Sequence, residues 1–167
     1  MPKIFAPVLS WSSRASEVAF TTGTEYEITS NFDGTAVRII RRAVQPLAAT
    51  EELALEELGE GMPIGVGSVG QIRVCDAAEV LEKRGHAAVV PTIAALRLGP
   101  NFLWVRREIP GEAPGQIDLF TPDGEYYGTL PEGSPFPDAF LDNDRIIVTE
   151  KDELDLDYLV TYRVEAN

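Results

Sequence analysis

Ile117-Asp118-Leu119-Phe120-Thr121-Pro122-Asp123-Gly124-Glu125-Tyr126-Tyr127-Gly128-Thr129-Leu130 carries the sequence signal that decides the fold. Two runs rich in aliphatic and aromatic residues, 117–120 and 126–130, flank Thr121-Pro122-Asp123-Gly124. Asp-Gly between two such runs predicts a tight hairpin, because the turn needs a positive φ that glycine adopts at little cost. The same grammar recurs upstream. Tyr26 and Ile28 alternate with Glu27 and Thr29, then Asn31-Phe32-Asp33-Gly34 leads into Val37-Arg38-Ile39-Ile40-Arg41. A strand region is thus expected over 16–42.

Further strands are expected from Val89 onward. Ile93 to Leu98 and Phe102-Leu103-Trp104-Val105 flank Gly99-Pro100-Asn101, a turn composition. Residues 110–115, Pro-Gly-Glu-Ala-Pro-Gly, read as a loop. After the central hairpin come Ala139-Phe140-Leu141, Ile146-Ile147-Val148 and Tyr158 to Val164. The segments repeat: Leu103-Trp104-Val105 and Ile146-Ile147-Val148 are 43 positions apart, and the same shift carries Ile117 onto Val160. A period of roughly 40–50 residues with four short strands per unit is the pattern of propeller blades. The reading is one near-complete blade before an insertion, one after it, and a third ending on its third strand.

The insertion spans about 46–88 and reads as helical. Thr50 precedes Glu51-Glu52-Leu53-Ala54-Leu55-Glu56-Glu57-Leu58 and Gly59 follows, an N-cap, an acidic first turn and a C-terminal glycine. Asp76 with Glu79 opens a second helix that Gly85 closes. The stretch between, Gly61 to Gly67, is expected to be irregular. Residues 1–167 are read as a single domain.

Composition limits the function. The chain has 167 residues with 27 Asp+Glu against 14 Lys+Arg, for a net charge of −13. That balance repels phosphate backbones and anionic membrane surfaces, so nucleic acid is not expected as a partner. No run approaches the roughly 18–20 apolar residues of a spanning helix, and the first residues lack the apolar core of a signal peptide. The expectation is a soluble chain. One cysteine, Cys75, leaves no internal disulfide and no cysteine-based zinc site.

The 117–130 hairpin resembles that of bacterial six-bladed β-propeller proteins related to the NHL-repeat group. Asn101-Phe102-Leu103-Trp104-Val105 is similar to the strand that precedes such hairpins, and Val160-Thr161-Tyr162-Arg163-Val164 to their last blade. The resemblance implies a mainly β fold of antiparallel propeller-like blades, a partial propeller of two to three blades with a helical insertion, corresponding to the C-terminal half of such a ring. It implies a non-catalytic binding or interaction module for a protein or small-molecule ligand. Two alternatives stand beside it: a fragment of a metal-dependent lactonase- or esterase-like hydrolase, and a truncated structural remnant. A truncated family member would be extracytoplasmic. Unpaired edges of an open stack would favour self-association.

Several residues are candidates for chemistry. Gly65-Val66-Gly67-Ser68-Val69-Gly70 matches the dinucleotide fingerprint in letters, but that motif needs a helix starting at its end, and Gln71-Ile72-Arg73-Val74 reads as extended. His86, the one histidine, follows a helix-ending glycine, and no serine elbow accompanies it. Asp142, Asp144, Asp152 and Asp155 are the candidates for a metal, with calcium the matching ion because it takes six to eight oxygen ligands. No other cofactor is expected. Trp104, Arg106, Tyr126 and Tyr127 are the candidates for a binding face. If the four aspartates hold calcium, millimolar calcium raises the melting temperature; no shift in a thermal-shift titration removes the hydrolase alternative.

Overall fold

The computed structural model describes residues 2–31, 36–66, 71–110 and 115–164. The turn expected at Phe32-Asp33-Gly34, the last four positions of the glycine fingerprint and most of the 110–115 loop lie outside the described residues. Among those described, thirteen strands and two helices make a mainly β fold of four antiparallel sheets.

Sheet one is a meander of β1 (Ser10–Arg14), β2 (Glu17–Thr21), β3 (Glu27–Ser30) and β4 (Arg38–Arg41) in sequence order. Sheet two is a second meander of β7 (Ile93–Leu98), β8 (Leu103–Arg107), β9 (Ile117–Phe120) and β10 (Tyr126–Thr129). Sheet three holds β11 (Ala139–Phe140), β12 (Arg145–Lys151) and β13 (Asp157–Arg163). The near-complete first unit expected from the sequence gains a fourth strand, β1, while the second and third units hold the four and three strands expected. The strand registers correct the period in one strand. Leu103 faces Phe120 in sheet two, and Ile146 faces Tyr162 in sheet three. The last strand therefore comes one residue early, and Ile117 corresponds to Leu159 rather than Val160.

Sheet two is covered on both faces. Leu103, Val105 and Phe120 pack with Ala19, Tyr26, Ile28 and Ile40 of the sheet-one region. Trp104, Ile117 and Leu119 pack with Ile146, Phe140, Val148 and Tyr162 on the other side. Two-sided cover explains why β8 reads as a continuous apolar run rather than an alternating one. Each fully buried aliphatic or aromatic side chain contributes about 1.5–3 kcal/mol. The sheets close no barrel or ring among the described residues.

The hairpin that opened the sequence reading forms as expected. Thr121 N–H donates to Glu125 O at 2.9 Å, and Gly124 N–H to Thr121 O at 2.9 Å, with Gly124 at φ 81°. Gly124 is needed twice: a Cβ there would also lie 3.3 Å from Ile40 Cγ1 in sheet one. β1 lies N-terminal to the expected strand region. Its sequence, Ser-Trp-Ser-Ser-Arg, lacks an apolar face, and its position is fixed by pairing with β2 and by Ser12 Oγ accepting from Leu98 N–H at 2.9 Å.

Between the first two sheets lie α1 (Glu51–Leu58) and α2 (Ala77–Arg84). Both caps form as read: Thr50 Oγ1 accepts from Leu53 N–H at 3.2 Å and Asp76 Oδ1 from Glu79 N–H at 2.8 Å. The intervening segment is not irregular. β5 (Met62–Val66) pairs with β6 (Gln71–Cys75). Gly61 makes this possible, at φ 112° and with a Cβ position only 2.0 Å from Cys75 O. Ala54, Cys75, Val80 and Leu81 form a small core with Ile4 of the N-terminal segment. Ala49 N–H donates to Ala88 O at 3.0 Å and Val90 N–H to Leu47 O at 2.9 Å, tying the neck of the insertion.

Candidate functional site

Two polar constellations lie at the two interfaces of sheet two. The first surrounds Asp118, which is 0% exposed and points from β9 toward sheet one. Tyr26 Oη donates to its Oδ2 at 2.8 Å and Thr129 Oγ1 to its Oδ1 at 2.5 Å. Tyr126 Oη lies 2.6 Å from the Thr129 hydroxyl. Arg42 Nη1 and Arg107 Nε approach the same Oδ2 at 2.6 Å and 3.5 Å, as ion pairs and not along their N–H directions. The Arg42 guanidinium also sits 4.0 Å from the Tyr126 ring centroid, within cation–π range.

Burial raises the Tyr26 hydroxyl far above the ordinary range, and the adjacent Asp118 charge adds to it. For Arg42, burial opposes the charge, but the close attraction to Asp118 outweighs it and raises its pKa. Tyr26 therefore stays protonated and Arg42 charged around neutrality. The cluster ties β8, β9 and β10 to the residues before β3 and after β4.

The second constellation lines a groove of about 460 Å³ between sheets two and three. Arg97 and Trp104 are cross-strand partners, as are Ala95 and Arg106, so the two arginines are diagonal neighbours on one face of sheet two. Their guanidinium carbons lie 5.8 Å (Arg97) and 5.1 Å (Arg106) from the Phe136 ring centroid. Arg97 Nη1 donates to Leu96 O. Neither arginine forms an ion pair among the described residues. From sheet three, Glu150 enters the groove and accepts hydrogen bonds from the Tyr158 and Tyr162 hydroxyls. Asp138 Oδ2 accepts from Thr149 N–H at 2.7 Å. Two cations and two carboxylates thus share one groove without meeting, an arrangement suited to a small ligand that carries both charges.

No protein-family model, no curated protein and no solved structure matches this chain. The local geometry therefore carries the reading of the site.

The structure disperses the sequence candidates. Asp142 and Asp144 lie before β12, Asp152 and Asp155 after it. Asp142 is held at about 2 by its hydrogen bonds from Arg145. Asp144 pairs with Arg163 at 3.0 Å and Asp155 with Lys151 at 2.7 Å, while Asp152 Oδ1 accepts from the Leu154 and Leu156 N–H groups. No group of three or more metal-ligating side chains occurs among the described residues. Gly65 lies in β5, and the segment after position 70 is strand β6 rather than a helix. His86 Nδ1 lies 2.7 Å from Ala87 O.

Of the binding candidates, only Arg106 reaches the groove. Trp104 is buried beside it in the core, with Phe140 as ring neighbour at 6.2 Å. Tyr126 turns toward sheet one and Arg42, whereas Tyr127 packs on Phe102 at 4.8 Å. Sequence reading did not single out Asp118, Tyr26, Arg97 or Phe136. The available signal was a lone charge inside an apolar strand: Asp118 between Ile117 and Leu119, and Arg97 between Leu96 and Leu98.

Replacing Asp118 with Ala leaves Arg42 and Arg107 facing an apolar wall, so a loss of about 3–5 kcal/mol is expected in urea denaturation. The Asp118→Ala, Arg42→Ala double variant should lose less than the sum of the single changes. Stability is also expected to fall above about pH 10, where the unfolded phenol ionises and the folded Tyr26 keeps its proton. The contribution is fully present below that pH. Tyr26→Phe should reduce this alkaline slope in thermal melts; an unchanged slope would show that Tyr26 is not its source.

Proposed function

We propose that this protein is a non-catalytic binding module of β-propeller type whose ligand is a small zwitterion, seated between sheets two and three. Three successive meanders in the same strand order, each packed on the next, support the propeller-type reading, in which each sheet is a blade and the helical segment is inserted between the first and second. The groove carries the functional reading. Among the described residues Arg97 and Arg106 form no ion pair within the groove, and a ligand carboxylate would receive charge-assisted, fork-like hydrogen bonds from them. Phe136 limits how the two guanidinium groups can turn. Glu150, already oriented by two tyrosine hydroxyls, faces the position of a ligand ammonium.

A groove of about 460 Å³ is in the range of small-molecule sites and matches a free amino acid or a related small zwitterion. In isothermal titration with the twenty common amino acids, at least one should bind. Arg106→Ala should weaken that binding roughly tenfold or more, since a hydrogen bond to a charged group contributes about 1.5–3 kcal/mol. Arg97→Ala should act in the same direction, with the fold unchanged by circular dichroism. Heat signals from no amino acid at millimolar concentration, or binding indifferent to both arginines, would refute the zwitterion reading.

A further inference from the structure

The stack of three sheets ends in two open faces that differ in character. On the outer face of sheet one, strand registers place Trp11 opposite Phe20, Phe20 opposite Thr29, and Thr29 opposite Ile39. These four residues form one row across all four strands. Trp11 is 58% exposed and Ile39 is 55% exposed, with Val37 beside them also open to solvent. An apolar row across a whole sheet face is unusual for a surface that faces only water. On the outer face of sheet three, Ile147 faces Thr161 and Thr149 faces Leu159, which is 72% exposed.

The chain itself shows how such faces are used. By register, the Trp104–Leu119 pair of sheet two corresponds to the Ile147–Thr161 pair of sheet three, and Arg106–Ile117 to Thr149–Leu159. In sheet two that face receives the next sheet. Its counterpart on sheet three keeps Ile147 and Leu159 but receives nothing from the described chain. The opposite faces of sheets two and three each receive the preceding sheet, through Leu103, Val105 and Phe120 and through Ile146, Val148 and Tyr162. The counterpart of those faces on sheet one is the Trp11–Phe20–Ile39 row. The two open ends are therefore the two halves of a contact that the chain makes twice internally.

We propose that the occupant of the sheet-one face is a second copy of this chain, docked through the outer face of its sheet three. The contact is head-to-tail, so it uses different surfaces on the two copies and propagates until the oligomer closes. It is independent of the ligand groove.

Sedimentation velocity over a wide concentration range tests this with two variants. Wild type is expected to assemble. Trp11→Glu and Leu159→Glu, both at exposed positions, should each sediment as folded monomers, with Ile39→Glu as a second block of the sheet-one face. An equimolar mixture of Trp11→Glu and Leu159→Glu should form a one-to-one dimer and nothing larger, because each variant retains the face that the other lacks. A wild-type monomer at all concentrations would overturn the proposal. So would a monomeric mixture, or assembly lost in Trp11→Glu but retained in Leu159→Glu, the signature of two sheet-one faces pairing with each other.

Discussion

A carboxylate without access to water stands between sheets one and two, and the arrangement around it depends on that placement. Leaving such a charge unpaired costs several kcal/mol, so Asp118 must gather its partners. It does so from Tyr26 beside β3, Arg42 after β4, Arg107 at the end of β8 and Thr129 in β10. The apolar contacts around it are non-directional and would tolerate a small slide of one sheet on the other. The hydrogen bonds would not, because they weaken steeply with misalignment. The polar cluster fixes the register of the interface, and the apolar residues supply most of its stabilisation.

Fixing that interface also fixes the other one. β8 and β9 have side chains on both faces, so the position of Leu103, Val105 and Asp118 against sheet one sets that of Trp104 and Leu119 against sheet three. The groove follows from this. Toward one end of the space between sheets two and three, Trp104, Phe140 and Ile146 pack together. Toward the other, Arg97 and Arg106 replace apolar residues, and guanidinium groups cannot be buried in that space as hydrocarbon can. The sheets leave a groove where the chemistry changes.

Much of the fold was legible locally. The Asp123-Gly124 hairpin, the caps at Thr50 and Asp76, and the strands of sheets two and three all follow from residues close in sequence. The strands that were not legible share a cause as well. β1 carries no apolar alternation, and β5 contains Pro63 and Gly65, so neither announces a strand; each forms because a neighbour supplies its hydrogen bonds. The candidate aspartates looked like a cluster because they are near in sequence, yet a seven-residue strand separates them into two turns.

By itself the sequence determined most of the local elements: the strands with apolar patterning, where the helices begin and end, and that the period restarts after the insertion. These are set by backbone propensities and by caps and turns acting over a few residues. Tertiary structure alone decided which charges matter. Asp118 and Tyr26 are 92 positions apart, and the groove joins Arg97 of β7 to Glu150 of β12. A charged residue in a strand reads the same whether its face meets water, a carboxylate or an empty groove. Only the stacking of the sheets makes that distinction, because burial is a property of what lies opposite.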